Sequence, residues 1–269
     1  MNSATLTGQY ANARADKPLD IVFQDEQLIA INKPSGLLVH RSPIDKHETR
    51  FAIQLLRDQI GQRVYPAHRL DKPTSGVLLF ALSPDTARAL NEQWEAGLVQ
   101  KQYLAIVRGH APASARIDHA LRYKRDDYGD ADKSHAPLQS AITEVHTLAQ
   151  VELPEAVDRY PSSRYSLVSC QPLTGRKHQL RRHLKHIGHP IIGDAKHGKS
   201  IHNHFFARRF GADRLLLAAV QLTLSHPVRR SPLTINAPLT GRFASVIEAL
   251  GWQAALPRQW LAEQSHAAG

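Results

Sequence analysis

The sequence predicts an α+β fold built on a mainly antiparallel mixed sheet with flanking helices. Three observations carry that expectation. Stretches with strand patterning outnumber stretches with helical patterning. The strand-like stretches come more often as hairpin-like pairs than as strands alternating with helices. Finally, residues 77–82 form an unbroken apolar run bounded by Gly76 on one side and Ser83-Pro84 on the other, as a buried strand would be.

The elements follow in order. Residues 21–24 and 27–32 read as two short strands with Asp25-Glu26 as the turn between them. Lys33-Pro34-Ser35-Gly36 is a turn. Thr49 is placed to cap a helix over 50–60, whose Ala52, Leu55, Leu56 and Ile60 fall near one face and which Gly61 stops. After the buried strand, Ser83 is an N-cap and Pro84 takes the first helical position, where its missing N–H costs nothing. Ala87, Leu90 and Trp94 continue that helix and Gly97 ends it. Residues 102–108 and 164–171 read as strands, and the charged stretch 122–133 as an exposed loop. A helical pattern runs from Thr174 to about Lys185, ending at Gly188; strands fill 214–225, and a last helix covers 241–250.

A chain of 269 residues makes one large domain or two small ones. No linker or repeat divides it, so the expectation is one domain over 21–255 between a polar N-terminal tail (1–20) and a C-terminal tail (256–269). Lys and Arg number 34 against 24 Asp and Glu, a net charge of +10, which predicts a polyanionic partner. The lone Cys170 has no intrachain disulfide partner and fits a reducing compartment. The chain has no apolar run of membrane-spanning length and its first twenty residues lack a signal-peptide core, so a soluble, cytoplasmic protein is expected, with no membrane partner. No exposed apolar stripe declares itself, and a monomer is expected.

Three stretches carry candidate chemistry. Residues 67–76, Ala-His-Arg-Leu-Asp-Lys-Pro-Thr-Ser-Gly, set polar groups directly before the buried strand, on a loop that Pro73 and Gly76 bend. Asp71 there suits a nucleophile or a base, and equally a turn residue bonding its own backbone. Residues 174–186 hold five Lys or Arg, and Lys177, Arg181 and Lys185 share a helical face suited to phosphates or to plain solvent. The histidines at 178, 183, 186 and 189 match no zinc spacing, so no metal is expected. Tyr103, at the start of a strand after Lys101-Gln102, suits base stacking or a half-buried core position.

At these points the chain resembles the RluA-type pseudouridine synthases. The resemblance runs over residues 21–240 and rests on four motifs in order: Leu28-Ile29-Ala30-Ile31-Asn32-Lys33-Pro34-Ser35-Gly36-Leu37; His68-Arg69-Leu70-Asp71 with Thr74-Ser75-Gly76; Lys101-Gln102-Tyr103 with Gly109; and Thr174-Gly175-Arg176 with His178-Gln179-Leu180-Arg181 and His183, followed by His189-Pro190-Ile191-Ile192-Gly193-Asp194. Finer features are similar to the branch of that family that modifies uridine 65 in the T-arm stem of tRNA: Leu38-Val39-His40-Arg41-Ser42, Arg57-Asp58-Gln59-Ile60-Gly61-Gln62, Arg159-Tyr160-Pro161 with Arg164-Tyr165, the doubled Arg181-Arg182, Lys196-His197-Gly198 and Gly251-Trp252. One departure is Ala218 after Leu215-Leu216-Leu217, where many members have His.

The resemblance implies a pseudouridine synthase fold and an isomerase that needs no cofactor, with 21–255 as the single catalytic domain and, since the first motif begins near residue 21, no separate N-terminal RNA-binding domain. It implies Asp71 as the essential carboxylate, Arg176 as the arginine paired with it, and Tyr103 as the tyrosine that stacks on the flipped uracil and moves a proton late in the reaction. Arg69 fills the gap left by the flipped base, and Lys177, Arg181, Arg182 and Lys185 are expected to bind RNA. The implied partner is tRNA. Two alternatives are a ribosomal-RNA pseudouridine synthase of the same family and a non-catalytic RNA-binding module.

Overall fold

The computed structural model describes residues 18–41, 48–123 and 137–262. Most of the expected N-terminal tail and all but the first residues of the expected loop at 122–133 lie outside them. The elements in chain order are β1 (Ile21–Gln24), β2 (Leu28–Lys33), α1 (Ala52–Ile60), β3 (Tyr65–Pro66), β4 (Ser75–Ala81), α2 (Pro84–Glu95), β5 (Gln100–Arg108), β6 (Ser114–Asp118), β7 (Leu121–Arg122), β8 (Leu138–Gln139), β9 (Ile142–Leu153), β10 (Ser163–Pro172), α3 (Gln179–His186), α4 (Ser200–Phe210), β11 (Leu217–Ser225), β12 (Pro232–Asn236) and α5 (Gly241–Ala249).

Ten strands form one sheet in the order β1-β2-β4-β11-β5-β10-β9-β6, with β3 added to β4 and β12 to β11, while β7 and β8 pair by themselves. Among the described residues every pairing between these strands is antiparallel except β4 with β11, so the sheet is mixed and mostly antiparallel as expected. That parallel seam aligns Ser75 with Ala218 and Gly76 with Ala219. Gly76 has φ +109°, and a Cβ there would lie 2.0 Å from the carbonyl oxygen of Ala219, so only glycine lets the backbones come this close.

Alternation along β11 shows how the two faces are covered. Ala218 and Val220 enter an apolar cluster with Phe205, Phe206, Phe243 and Val246 of α4 and α5. On the same parity, Leu222 and Leu224 meet Leu90 of α2. The odd positions face the other way: Leu217 packs with Leu180 and Leu184 of α3, and Ala219 with Ala52 and Leu56 of α1. β4 is buried along its whole length, the consequence of helices on both faces.

Several expectations need correction. Thr49 does not cap α1; the helix starts at Ala52 after Phe51, with no side-chain cap. Its first N–H groups are satisfied by backbone instead, Ala52 donating to the Leu38 carbonyl at 2.8 Å and Ile53 to that of Val39 at 3.1 Å. The helix expected from Thr174 starts at Gln179, because His178 takes the left-handed conformation (φ 55°, ψ 28°) and breaks the periodicity there. The first residues of the tail expected from 256 are part of the packed domain. Leu256 and Trp260 are buried in the cluster with Phe243, and the Leu239 N–H donates to the Trp260 carbonyl at 2.8 Å. Near the other end, Leu19 is buried and its N–H donates to Gln59 Oε1 at 2.7 Å. Ser83 caps α2 as expected, accepting from the Thr86 N–H at 3.2 Å.

Candidate active site

The loop carrying Asp71 is tied down through its own carbonyls. The Asp71 carbonyl accepts from the Thr74 N–H at 2.9 Å, and that of Lys72 from the Gly36 N–H at 2.8 Å. The Pro73 carbonyl accepts from the Ser35 hydroxyl at 2.7 Å. Lys33, fully buried, donates from Nζ to the carbonyls of Pro34, Leu37 and Lys72. Burial, then the charge of Arg214, pulls this ammonium down to about 7 against the pull of Asp71. The turn is therefore closed by backbone and by neighbours, and the Asp71 carboxylate is not spent on it.

That carboxylate meets Arg181, whose Nη1 lies 3.1 Å from Oδ2. Arg181 is held from behind by Asp194, Nε to Oδ2 at 2.7 Å and Nη2 to Oδ1 at 2.8 Å, a bidentate pair with side chains 5% and 1% exposed. Asp194 Oδ1 also accepts the N–H groups of Lys196 and His197, both at 2.9 Å. Burial alone would raise Asp194; the Arg181 bonds and charge, with those N–H groups, overcome it and hold the carboxyl below its ordinary value. Arg176, the partner expected from the resemblance, is turned away: its Nε donates to the Ser140 carbonyl at 2.9 Å. Arg181 is thus the arginine of Asp71 and not a member of an outward phosphate-binding face.

The loop before α3 is shaped by Gln179. Its Oε1 accepts from the Thr174 hydroxyl at 2.8 Å and the Arg176 N–H at 2.9 Å, and its Nε2 donates to the Ile142 carbonyl at 2.9 Å. His178 then points back at Asp71, Nε2 to Oδ2 at 3.8 Å, with Nδ1 3.1 Å from His197 Nε2. The other histidines of this stretch are dispersed. His183 lies between Thr143 and the His119 carbonyl, His186 stacks on His119 at 3.7 Å, and His189 bonds the Arg108 carbonyl.

These groups meet in a cavity of about 470 Å³, the size range of small-molecule sites. Asp71, Arg69, Tyr103, Arg176, Lys177 and Arg181 all line it. Burial, then the charge of Asp71, raises the Tyr103 phenol well above its ordinary value, so it stays neutral. His68, Trp94, Lys101 and Tyr123 also line it and escaped the sequence reading as site residues. His68 stacks on Trp94 with ring centroids 5.3 Å apart. Burial and then Lys101 pull His68 down to about 4. Lysine 101 sits two residues before Tyr103 on one strand face, and that alternation is a usable signal; the Trp94 stack joins different elements and has none.

Among the described residues the lining carries five Lys or Arg against one carboxylate, Asp71. Of the remaining basic residues expected at an RNA face, Lys185 is exposed at the end of α3. Arg182 is half-buried and donates from Nη1 to the Arg122 carbonyl at 3.1 Å, which ties β7 to α3. Ala218 is buried on the sheet face away from the cavity, and Leu217 is the residue of that segment that lines it. Among the described residues no helix is long and apolar enough to cross a membrane.

The sequence profile of the family described as RNA pseudouridylate synthase matches residues 27–186. The chain is 50% identical over 241 residues to tRNA pseudouridine synthase C of Pectobacterium carotovorum, covering 89% of this chain and 64% of that protein. It is 50% identical over 236 residues to tRNA pseudouridine synthase C of Pasteurella multocida, covering 87% of this chain and 97% of that one. Among solved structures, Human RNA Pseudouridylate Synthase Domain Containing 4 superimposes with a TM-score of 0.64 at 28% identity, covering 86% of this chain and 93% of its own.

Proposed function

Because the chain belongs to the RNA pseudouridylate synthase family, we propose that it isomerises uridine to pseudouridine in tRNA, at uridine 65 of the T-arm stem, with Asp71 as the reacting carboxylate. The observation that carries this reading is the Asp71 carboxylate pinned by the buried Arg181 guanidinium in a cavity whose described lining is basic. The names of the relatives support tRNA as the RNA.

The cavity accepts a nucleotide turned out of its stack. Arg69, exposed at the mouth, fills the space the base leaves. Tyr103 offers its ring to the uracil, and its phenol is held neutral beside the Asp71 carboxylate. The N1–C1′ bond breaks, the uracil turns while Asp71 bonds the ribose, and a C5–C1′ bond replaces that ester. C5 loses a proton and N1 gains one, so no oxidant, reductant or co-substrate enters. One chain supplies every named group, consistent with a monomer working in the cytoplasm where tRNA is found.

The test is carbodiimide mapping of pseudouridine in tRNA from a strain lacking this gene. The signal at position 65 should vanish, return with the wild-type gene, and stay absent with Asp71→Asn. An unchanged tRNA pattern in the deletion strain overturns the reading.

A further inference from the structure

We propose that His178 is a second holder of the Asp71 carboxylate and that His197 sets its tautomer, so that an imidazole N–H is aimed at Oδ2 and Oδ1 is reserved for the ribose. This rests on the reading of Asp71 as the reacting group.

The backbone is the first observation. His178 is one of two non-glycine residues with positive φ among the described residues. Left-handed backbone at a residue with a Cβ is strained. Such strain persists where surrounding contacts enforce it. Here it turns the imidazole inward, between Asp71 and His197.

The second observation is the bonding. With His178 Nδ1 3.1 Å from His197 Nε2, one ring must donate and the other accept. Burial keeps His178 neutral, pulling it down to about 4 in spite of Asp71, with Arg181 and Lys196 adding to the pull. A neutral ring has one N–H. If that proton sat on Nδ1, the Nε2 lone pair would face a carboxylate oxygen 3.8 Å away. If it sits on Nε2, the proton is carried by the nitrogen 3.8 Å from that oxygen, and the contact is attractive, though longer than a hydrogen bond. The second arrangement requires His197 to donate from Nε2. His197 therefore acts through His178 as a positioning residue.

The third observation is the shared anchor. Arg181 and His178 both approach Oδ2 of Asp71. Arg181 is clamped by the Asp194 carboxylate, and the same carboxylate accepts the backbone N–H of His197. One buried acid thus fixes both arms that hold Asp71, and both arms fall on one oxygen.

The experiment combines a ring-nitrogen NMR spectrum of the full chain with ¹⁵N-labelled histidine and single-turnover rates on tRNA for His197→Gln and His197→Leu. His178 should show the Nε2–H tautomer. The Gln amide still donates, so His197→Gln should stay within a few-fold of wild type. His197→Leu should slow the chemical step by roughly 10–100-fold, as when a partner that orients a metal-bound histidine is removed, with tRNA affinity unchanged. An Nδ1–H tautomer in the wild type overturns the proposal, as does a wild-type rate for Leu, or a Gln variant as slow as Leu. Should the Leu variant not fold, the tautomer and the Gln rate decide. An active Asp71→Asn would instead overturn the reading of Asp71 itself; an inert Asp71→Asn beside a flat His197 series overturns this inference alone.

Discussion

Two ionic clusters stand near the two ends of β5, and both set an aspartate among arginine, lysine and histidine. Near Tyr103, Asp71 meets Arg181, which a bidentate bond to Asp194 immobilises in the interior. Near Arg108, Asp158 meets Lys199, with Arg108 Nη1 at 3.9 Å and His202 Nε2 at 4.0 Å. There the lysine is 44% exposed, and Arg108 Nε and His202 Nε2 are buried without hydrogen-bond partners among the described residues. The residue types are nearly the same. What separates them is that the first cluster has a second carboxylate behind its arginine and a cavity in front of its aspartate. An acid becomes a reagent when its partner is held by something else.

The largest expected effect comes from exchanging the two acids. Asp71→Asn should lower single-turnover activity by at least about 10³-fold, the scale of removing a reacting group, while tRNA binding stays within a few-fold. Asp158→Asn should leave both unchanged. Residual turnover of even a few per cent in Asp71→Asn would erase the distinction between the clusters.

Next in size is the arginine. Arg181→Ala leaves Asp194 buried without its partner, which typically costs about 3–5 kcal/mol, and its denaturant midpoint should fall accordingly. Arg181→Lys keeps the charge but loses the planar fork, so activity should drop far more than tRNA affinity. Arg176→Lys should retain most of the chemical rate, since Arg176 bonds Ser140 and not Asp71. Equal losses in the two Lys variants would return Arg176 to the catalytic apparatus.

The clusters should converge in their response to acid. His178 and His202 each sit near 4 in the fold against an ordinary 6.5, and burial is the main cause in both. Each binds its proton more readily unfolded, so the stability it contributes is complete above pH 6.5 and declines as pH falls toward 4. Asp194, held below 3.8, contributes stability that persists above that value and is lost as pH falls through its lower folded value. Thermal melting from pH 7 to pH 4 should therefore show a falling midpoint. His202→Gln should flatten the fall without altering turnover at pH 7. A midpoint independent of pH over that range contradicts the assignment.

The smallest effect is on salt dependence. Lys185→Gln should reduce the slope of log affinity against log salt by about 0.7–0.9, one phosphate contact. Arg182→Gln should reduce it less, because that guanidinium is half-buried and committed to the Arg122 carbonyl. Lys199→Gln, at the other cluster, should leave the slope alone. A full unit lost in Arg182→Gln would put that side chain on phosphate.

Much of this was legible because it is local. The apolar run of β4, the Ser83 cap with Pro84 behind it, the β1–β2 turn and α5 all depend on residues close in the chain. The Asp71 loop was visible for the same reason. Strand β9 (Ile142–Leu153) was not, since it buries Thr143 and Val145 but leaves its later half only half-buried, with Gln150 and Glu152 exposed. The start of α4 has no side-chain cap to announce it. The exchange of Arg176 for Arg181 has a physical cause as well. Counting helical turns from Thr174 sets Lys177, Arg181 and Lys185 on one outer face, but the helix begins at Gln179, after the left-handed His178. From there Leu180, Arg181 and Leu184 are all buried, and the acid that makes this tolerable lies thirteen positions on.

The parallel seam between β4 and β11 joins residues 75 and 76 to residues 218 and 219. A nascent chain therefore carries Asp71 out of the ribosome long before the strand that backs its loop has been made. Arg181 and Asp194 also emerge after the loop they hold, though before that strand. Closing contacts so distant in sequence is slow and depends on the later segments being present. On the role proposed for Asp71, the reacting carboxylate is assembled only once most of this basic chain has been made.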